Sequence, residues 1–334
     1  IKMFSIVLTT INNPKLLIDY HNALKDVSHN IIVVPDNKTP EEARETTKKI
    51  GGEWLDRNLL GYENDDAKRM EGIIRAMERR DDFVVLLDDD NYFNDDLWYL
   101  SMSKVGDIDR FNAWYSKNNW VNCCEVLNRR DIFPRGFPYS KMKKSEIVSE
   151  KEENDQIIVN AGLWVESPDV DATFHLTKDV RTTELLNEFI LGENQYCPFN
   201  SQNTAILTDT LRGYFFRPKM EGEITRYSDI FAGLFYEKIA NHLGGRIFFG
   251  RPLSKHIRNS HNYLRDAQQE IKEAIILEDI LPSFEEAKLK QKDWGNCLVE
   301  LLDQLNGKNK ETKTFLNHYK RETNKYLEIC EKYV

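Results

Sequence analysis

Five apolar residues in a row, Phe83 to Leu87, run straight into Asp88, Asp89 and Asp90. An apolar run without alternation predicts a strand covered on both faces, here with three carboxylates at its carboxyl end. FSIVLTT (Phe4 to Thr10) and NIIVVPDN (Asn30 to Asn37) predict two further buried strands. The turn Asn12 to Pro14 opens a helix carrying Leu16, Leu17, Tyr20 and Leu24, and Pro40 with Glu41 marks the first turn of another. Ala67, Met70, Ile73, Ile74 and Met77 recur at helical spacing and predict a helix over Asp65 to Arg79. Strand, helix, strand, helix, strand in this order implies an α/β fold with a right-handed parallel sheet whose loops converge at one edge.

The middle of the chain is mixed. Lys141 to Gln156 has no core-forming pattern and is expected to be a mobile loop, either a lid over a ligand or a solvated insertion. Apolar character resumes at Ile157 to Val165. Near the end, Trp294, Leu298, Leu301 and Leu305 predict a helix, NGKNK breaks it, and Phe315, Tyr319, Leu327 and Cys330 form a stripe of a last one.

Composition narrows the function. The 334 residues suffice for one large α/β domain or two smaller ones. Lys and Arg number 46 against 55 Asp and Glu, a net charge of −9 that disfavours a nucleic-acid partner. No apolar window is long enough for a membrane span and no signal-peptide pattern opens the chain, so a cytoplasmic location is expected. Five cysteines without a CxxC pair favour reduced thiols, with Cys123 and Cys124 as small core hydrophobes.

Three clustered carboxylates at a strand's carboxyl end repel one another unless a cation neutralises them. Oxygen ligands of this kind suit Mg²⁺ or Mn²⁺ carrying nucleotide phosphates; an acidic surface turn is the plainer alternative. An EF-hand is excluded, because Phe93 stands where that loop needs Gly and Tyr99 where it needs Glu. Asp36, at the end of the second strand, is either a base or ribose contact or a turn residue. Arg69 either reaches a diphosphate or forms a surface salt bridge. Asp229 is either a helix cap or a catalytic carboxylate, and His256 either completes a metal site or is a structural hydrogen-bonder.

The order of IIVVPDN, DDAKRMEG, LLDDDNYF, PRGFPYS, NAGLWVESPDVDATFHL, NSQNTAI, RYSDIFAG and GRPLSKHIRNS resembles the plant reversibly glycosylated polypeptides, also known as UDP-arabinopyranose mutases. The likeness runs from about Phe4 to Leu302. It implies a glycosyltransferase type A (GT-A) fold with a mixed, mainly parallel sheet. Residues 1–285 would then form the nucleotide-sugar-binding and catalytic domain, and 286–334 a helical extension.

The same resemblance places Asp88 and Asp90 in a DXD metal motif, with His256 as a further metal ligand. Thr9, Asp36, Arg69 and Asp89 fall on the donor, a UDP-sugar. Arg135 matches an arginine associated with reversible sugar attachment, and Asp229 the second acid of a tyrosine-acid-acid motif. Two departures stand out: Ser228 replaces the first acid, and Met142 replaces a second arginine.

The implied function is metal-dependent sugar transfer from the donor to a hydroxyl acceptor, whether glycan, lipid-linked glycan, protein or modified base, with homo-oligomers left open. The alternatives are a UDP-sugar pyranose/furanose mutase and a non-catalytic nucleotide-sugar-binding subunit.

Overall fold

A computed structural model of the chain describes residues 2–258 and 262–334. The last two residues of the GRPLSKHIRNS segment, Asn259 and Ser260, lie outside the described residues. The strands are β1 (Phe4–Thr10), β2 (His29–Pro35), β3 (Glu53–Trp54), β4 (Phe83–Leu87), β5 (Asn91–Tyr92), β6 (Ile108–Ser116), β7 (Ile147–Glu166), β8 (Phe189–Leu191), β9 (Thr204–Leu207) and β10 (Arg246–His256). Among the described residues they form one sheet in the order β3-β2-β1-β4-β9-β7-β6-β8-β10-β5. Its first four strands are parallel, β9 joins antiparallel on both sides, and the far end mixes the two senses. The α/β class with a mixed sheet, expected from the sequence, is the one observed.

The apolar runs are continuous because each parallel strand feeds two cores. Val7, Ile32, Ile74, Val84 and Leu86 belong to one cluster, and Ile6, Val33, Phe83, Val85 and Leu87 to the other. The second is covered by α1 (Leu17–Ala23) and α4 (Trp98–Met102), while α2 (Glu41–Lys49) links β2 to β3. The larger first cluster is covered by α3 (Arg69–Arg79), α7 (Ser228–Leu243), α8 (Tyr263–Glu286), α9 (Trp294–Gln304) and α10 (Lys310–Tyr333). Short helices α5 (Tyr139–Met142) and α6 (Ala172–Thr177) complete the order. Cys123 and Cys124 are buried in the first cluster, as expected of small hydrophobes. Among the described residues no helix is long and apolar enough to cross a membrane.

The α3 helix begins where Asp65 caps a short 3-10 turn by accepting from Ala67 N at 2.9 Å. Gly72 lets it settle onto β1, since a Cβ there would lie 2.4 Å from Val7 Cγ1. Gly72→Ala is therefore expected to lower stability by about 1–3 kcal/mol, read from denaturant unfolding, despite alanine's better helix propensity.

One expectation is overturned. Lys141 to Gln156 is no mobile loop or lid: Ile147 onward is the outer half of β7, paired antiparallel with all of β6, and none of these residues lines the cavity described below. Polar side chains hold the hairpin, with Asn112 donating to Glu150 at 2.9 Å and Tyr115 bonded to Glu153. None of the side chains from Ile147 to Gln156 is buried, so this half of β7 needs no apolar face and hydrophobic periodicity does not reveal it.

Candidate active site

The parallel strands end at a polar cavity of about 470 Å³. All nine sequence-derived candidates line it: Thr9, Asp36, Arg69, Asp88, Asp89, Asp90, Arg135, Asp229 and His256. Asp36 does what a turn residue does while facing the cavity, its Oδ1 accepting from Asn37 N at 2.6 Å and from Asn64 N at 2.9 Å. Asp89 is fixed from β1, accepting from the Thr10 hydroxyl and from Asn12 Nδ2 at 2.8 Å.

Asp88 pairs with Arg69, whose Nη1 also donates to Ser201 O at 3.1 Å. Burial pushes the Asp88 carboxyl up to about 6; Arg69 opposes this and neighbouring Asp90 adds to it. Asp90 meets His256 because β10 runs antiparallel to β5 with His256 opposite Asn91. His256 Nδ1 lies 2.6 Å from Ser167 O, and a carbonyl only accepts, so Nδ1 carries a proton. In a neutral ring Nε2 then presents a lone pair to Asp90 Oδ2, 3.1 Å away. Two lone pairs at that separation call for a cation between or beside them, either a second ring proton or a metal.

Among the described residues, no group of three or more His, Cys, Asp or Glu side chains is already arranged to hold a metal ion. The oxygen and imidazole donors nevertheless fit Mg²⁺ or Mn²⁺, ions that take one or two carboxylates and leave other positions to phosphate and water. Asp88 binds Arg69 through Oδ1, so its second oxygen remains for such a set.

The opposite wall is built on Asp169, which lies after the long β7 strand. It accepts from Arg135 Nε at 3.0 Å, Arg258 Nη2 at 3.1 Å and Asn200 Nδ2 at 2.6 Å. Burial works against its charge, but Arg135 and Arg258 hold it well below the usual carboxylate range. Arg135 in turn forks onto Asp229, with Nη2 to Oδ2 at 2.8 Å and Nη1 to Oδ1 at 3.2 Å. Burial disfavours the Arg135 cation, yet Asp169 and Asp229 together push its pKa well above the ordinary value. Its charge is permanent.

Behind this wall three acids share a buried seam. Asp171 accepts from Gly136 N at 3.2 Å and Tyr227 OH at 2.7 Å, while Glu273 accepts from Arg226 N at 2.6 Å. Burial, and for Asp171 also nearby Glu270, raises Asp171 and Glu273 each to about 7. The folded state thus holds protons that the unfolded chain releases near pH 4. The stability this contributes is present below that pH and is lost as pH rises through about 7. Asp171→Asn, which mimics the protonated acid, is expected to gain on the wild type by about 1 kcal/mol or more between pH 5 and pH 8, read from paired thermal melts.

Several cavity residues escaped the sequence reading: Asp169, Arg258, Ser201 and Arg226. Asp169 follows the Ser167-Pro168 turn and Arg258 stands two residues beyond His256, both inside segments that carried the family likeness. Thr9, Arg69, Gln202 and Ser228 line the cavity, and each has a buried polar atom without a partner: Thr9 Oγ1, Arg69 Nε, Gln202 Oε1 and Ser228 Oγ. Met142, by contrast, packs against the core and does not line it.

A family model described as "Reversibly glycosylated polypeptide" matches residues 129–333. UDP-arabinopyranose mutase 1 of Arabidopsis thaliana is 29% identical over 175 residues, covering 51% of this chain and 46% of that protein. A probable UDP-arabinopyranose mutase 1 of Pisum sativum is 28% identical over 183 residues, covering 53% and 47%. The chain thus spans about half the length of the curated relatives it matches. A solved glucosyl-3-phosphoglycerate synthase from Mycobacterium tuberculosis, in complex with Mn²⁺, UDP and phosphoglyceric acid, aligns over 82% of this chain and 78% of its own. Its TM-score of 0.41 at 12% identity is too slight a likeness to argue from.

Proposed function

Because the chain belongs to the reversibly glycosylated polypeptide family, we propose that its cavity binds a UDP-linked sugar and that the protein transfers the sugar to a hydroxyl acceptor. The observation that carries this reading is the convergence of acids and arginines on one ligand-sized cavity. Residues 1–285 would supply donor binding and catalysis, with 286–334 as a helical buttress.

Asp90 and His256, joined by Asp88, would hold a Mn²⁺ or Mg²⁺ ion that neutralises charge on the departing diphosphate. Arg69 offers the positive charge of its guanidinium to a phosphate, while Thr9, Asp36 and Asp89 face the nucleoside end. Arg135 acts as a fixed cation beside the sugar-phosphate bond. Held between Asp169 and Asp229 it keeps its proton, so it supports charge without attacking the sugar. Asp229 is the base towards the acceptor hydroxyl. Its Oδ1, the oxygen with the longer Arg135 contact, is the one to exchange partners.

The second reading, a UDP-sugar mutase, is favoured by the names of the relatives, while Met142 in place of an arginine counts against it. The test is a thermal-shift screen of nucleotide-sugars with and without Mn²⁺. A donor at a hundred times its dissociation constant should add about 2.7 kcal/mol. Incubation with UDP-arabinopyranose alone then separates the readings: furanose product favours the mutase, and slow hydrolysis with transfer on adding an acceptor favours the transferase. Stabilisation without turnover of any donor would leave a binding subunit, and no stabilisation by any nucleotide-sugar rejects all three.

A further inference from the structure

Two loops without regular structure wall the cavity. One precedes α3 and contributes Asn64 and Asp65; the other, between Tyr214 and Tyr227, contributes Phe216, Thr225 and Arg226. They are tied to each other, since Lys219 N donates to Asp65 Oδ2 at 2.8 Å and Lys219 Nζ to Asn64 O.

Both are also tied to α10, which lines no part of the cavity. Tyr62 OH donates to Glu322 Oε2 at 3.2 Å, and Lys325 Nζ reaches Leu60 O. On the second loop, the buried Arg217 lies over the Phe315 ring at 4.7 Å and its Nη1 approaches His318 Nδ1 at 3.3 Å. Tyr319 OH donates to Phe215 O at 2.6 Å. A guanidinium can only donate, so Nδ1 is the acceptor and the His318 ring is neutral with its proton on Nε2. Nε2 lies 3.9 Å from Glu322 Oε1, beyond hydrogen-bond reach, and the two loop anchors are neighbours on one helix face, four residues apart.

We infer that Glu322 and His318 are positioning residues for donor binding, acting through Tyr62 and Arg217 to hold the two wall loops at their ligand-binding separation. The inference rests on the cavity being the UDP-sugar site. Burial and then Arg217 hold the His318 imidazole below its ordinary pKa, while Glu322 and Glu223 oppose this and Arg321 adds to it. The neutral ring that the Arg217 contact requires is thereby kept.

The test compares Glu322→Ala and His318→Ala with Glu322→Gln and His318→Asn, which keep an acceptor near the lost one. Calorimetric titration with UDP in Mn²⁺ is expected to show at least tenfold weaker binding in the alanine variants, with most of the affinity restored in the conservative ones. Binding equal to wild type in both alanine variants overturns the inference. Should Glu322→Ala unfold, Tyr62→Phe removes only the hydroxyl at the other end of the same bond and is read identically.

If the wild type itself binds no UDP, the donor reading falls and hydrogen exchange decides the positioning role. Amides of residues 55–65 and 214–227 should then exchange at least tenfold faster in the alanine variants, and unchanged exchange rejects it.

Discussion

Asp90→Ala is expected to abolish the enhancement of UDP binding by Mn²⁺ and to lower turnover by on the order of a hundredfold or more, the scale at which even outer partners of metal ligands act. The reason lies in the Asp90–His256 contact. With Nδ1 committed to the Ser167 carbonyl, the imidazole turns a lone pair on a carboxylate oxygen 3.1 Å away. A second ring proton or a metal relieves that opposition, and for a metal the loss of Asp90 removes one of its ligands. The decisive measurement is a pair of calorimetric UDP titrations, with and without Mn²⁺, because it reads the ion without relying on catalysis. His256→Ala should behave alike, and the double variant should be scarcely worse than either single one, since the two side chains act as a unit. A wild type that binds UDP equally well in the presence of a chelator would sink the assignment.

The same contact shows what a sequence can and cannot disclose. Asp90 was legible because three carboxylates capping a buried strand are anomalous in themselves. The β1, β2 and β4 strands were legible because burial on both faces leaves uninterrupted apolar runs. That His256 meets Asp90 follows from the antiparallel register of β10 on β5, a non-local fact carried by no spacing. The outer half of β7, Ile147 to Gln156, was illegible for the opposite reason: its side chains are mostly polar or charged and none is buried, although its partner β6 keeps Ala113 and Trp114 in the core. Asp169 was illegible because an aspartate after Ser-Pro reads as a turn. Its importance comes from Arg135, Arg258 and Asn200, which lie 34, 89 and 31 residues away.

That position should carry the largest stability effect in the site. Asp169 is 2% exposed and sits between two guanidiniums that are themselves about nine-tenths buried. Removing the central carboxylate takes from Arg258 the ion-pair partner it has among the described residues and leaves Arg135 with Asp229. Breaking a buried pair from one side costs about 3–5 kcal/mol, because the remaining charge stays buried and uncompensated. Asp169→Ala is thus expected to lower the melting temperature at pH 7 by roughly 4–7 °C. Asp169→Asn offers only a partial rescue, since its oxygen still accepts while its NH2 points donors at donors and the charge is gone.

Arg135→Ala should be milder, because Asp169 keeps Arg258 and Asn200. The double variant should cost less than the sum of the two singles. The sign with pH is set by the depressed Asp169 carboxyl: its contribution is present above the unfolded value near 4 and is lost as pH falls through the lower folded one. The gap in melting temperature between wild type and Asp169→Ala should therefore be widest near neutrality and narrow below about pH 4. A gap that is absent at pH 7, or that widens with acid, would mean the two arginines are held by something other than this carboxylate.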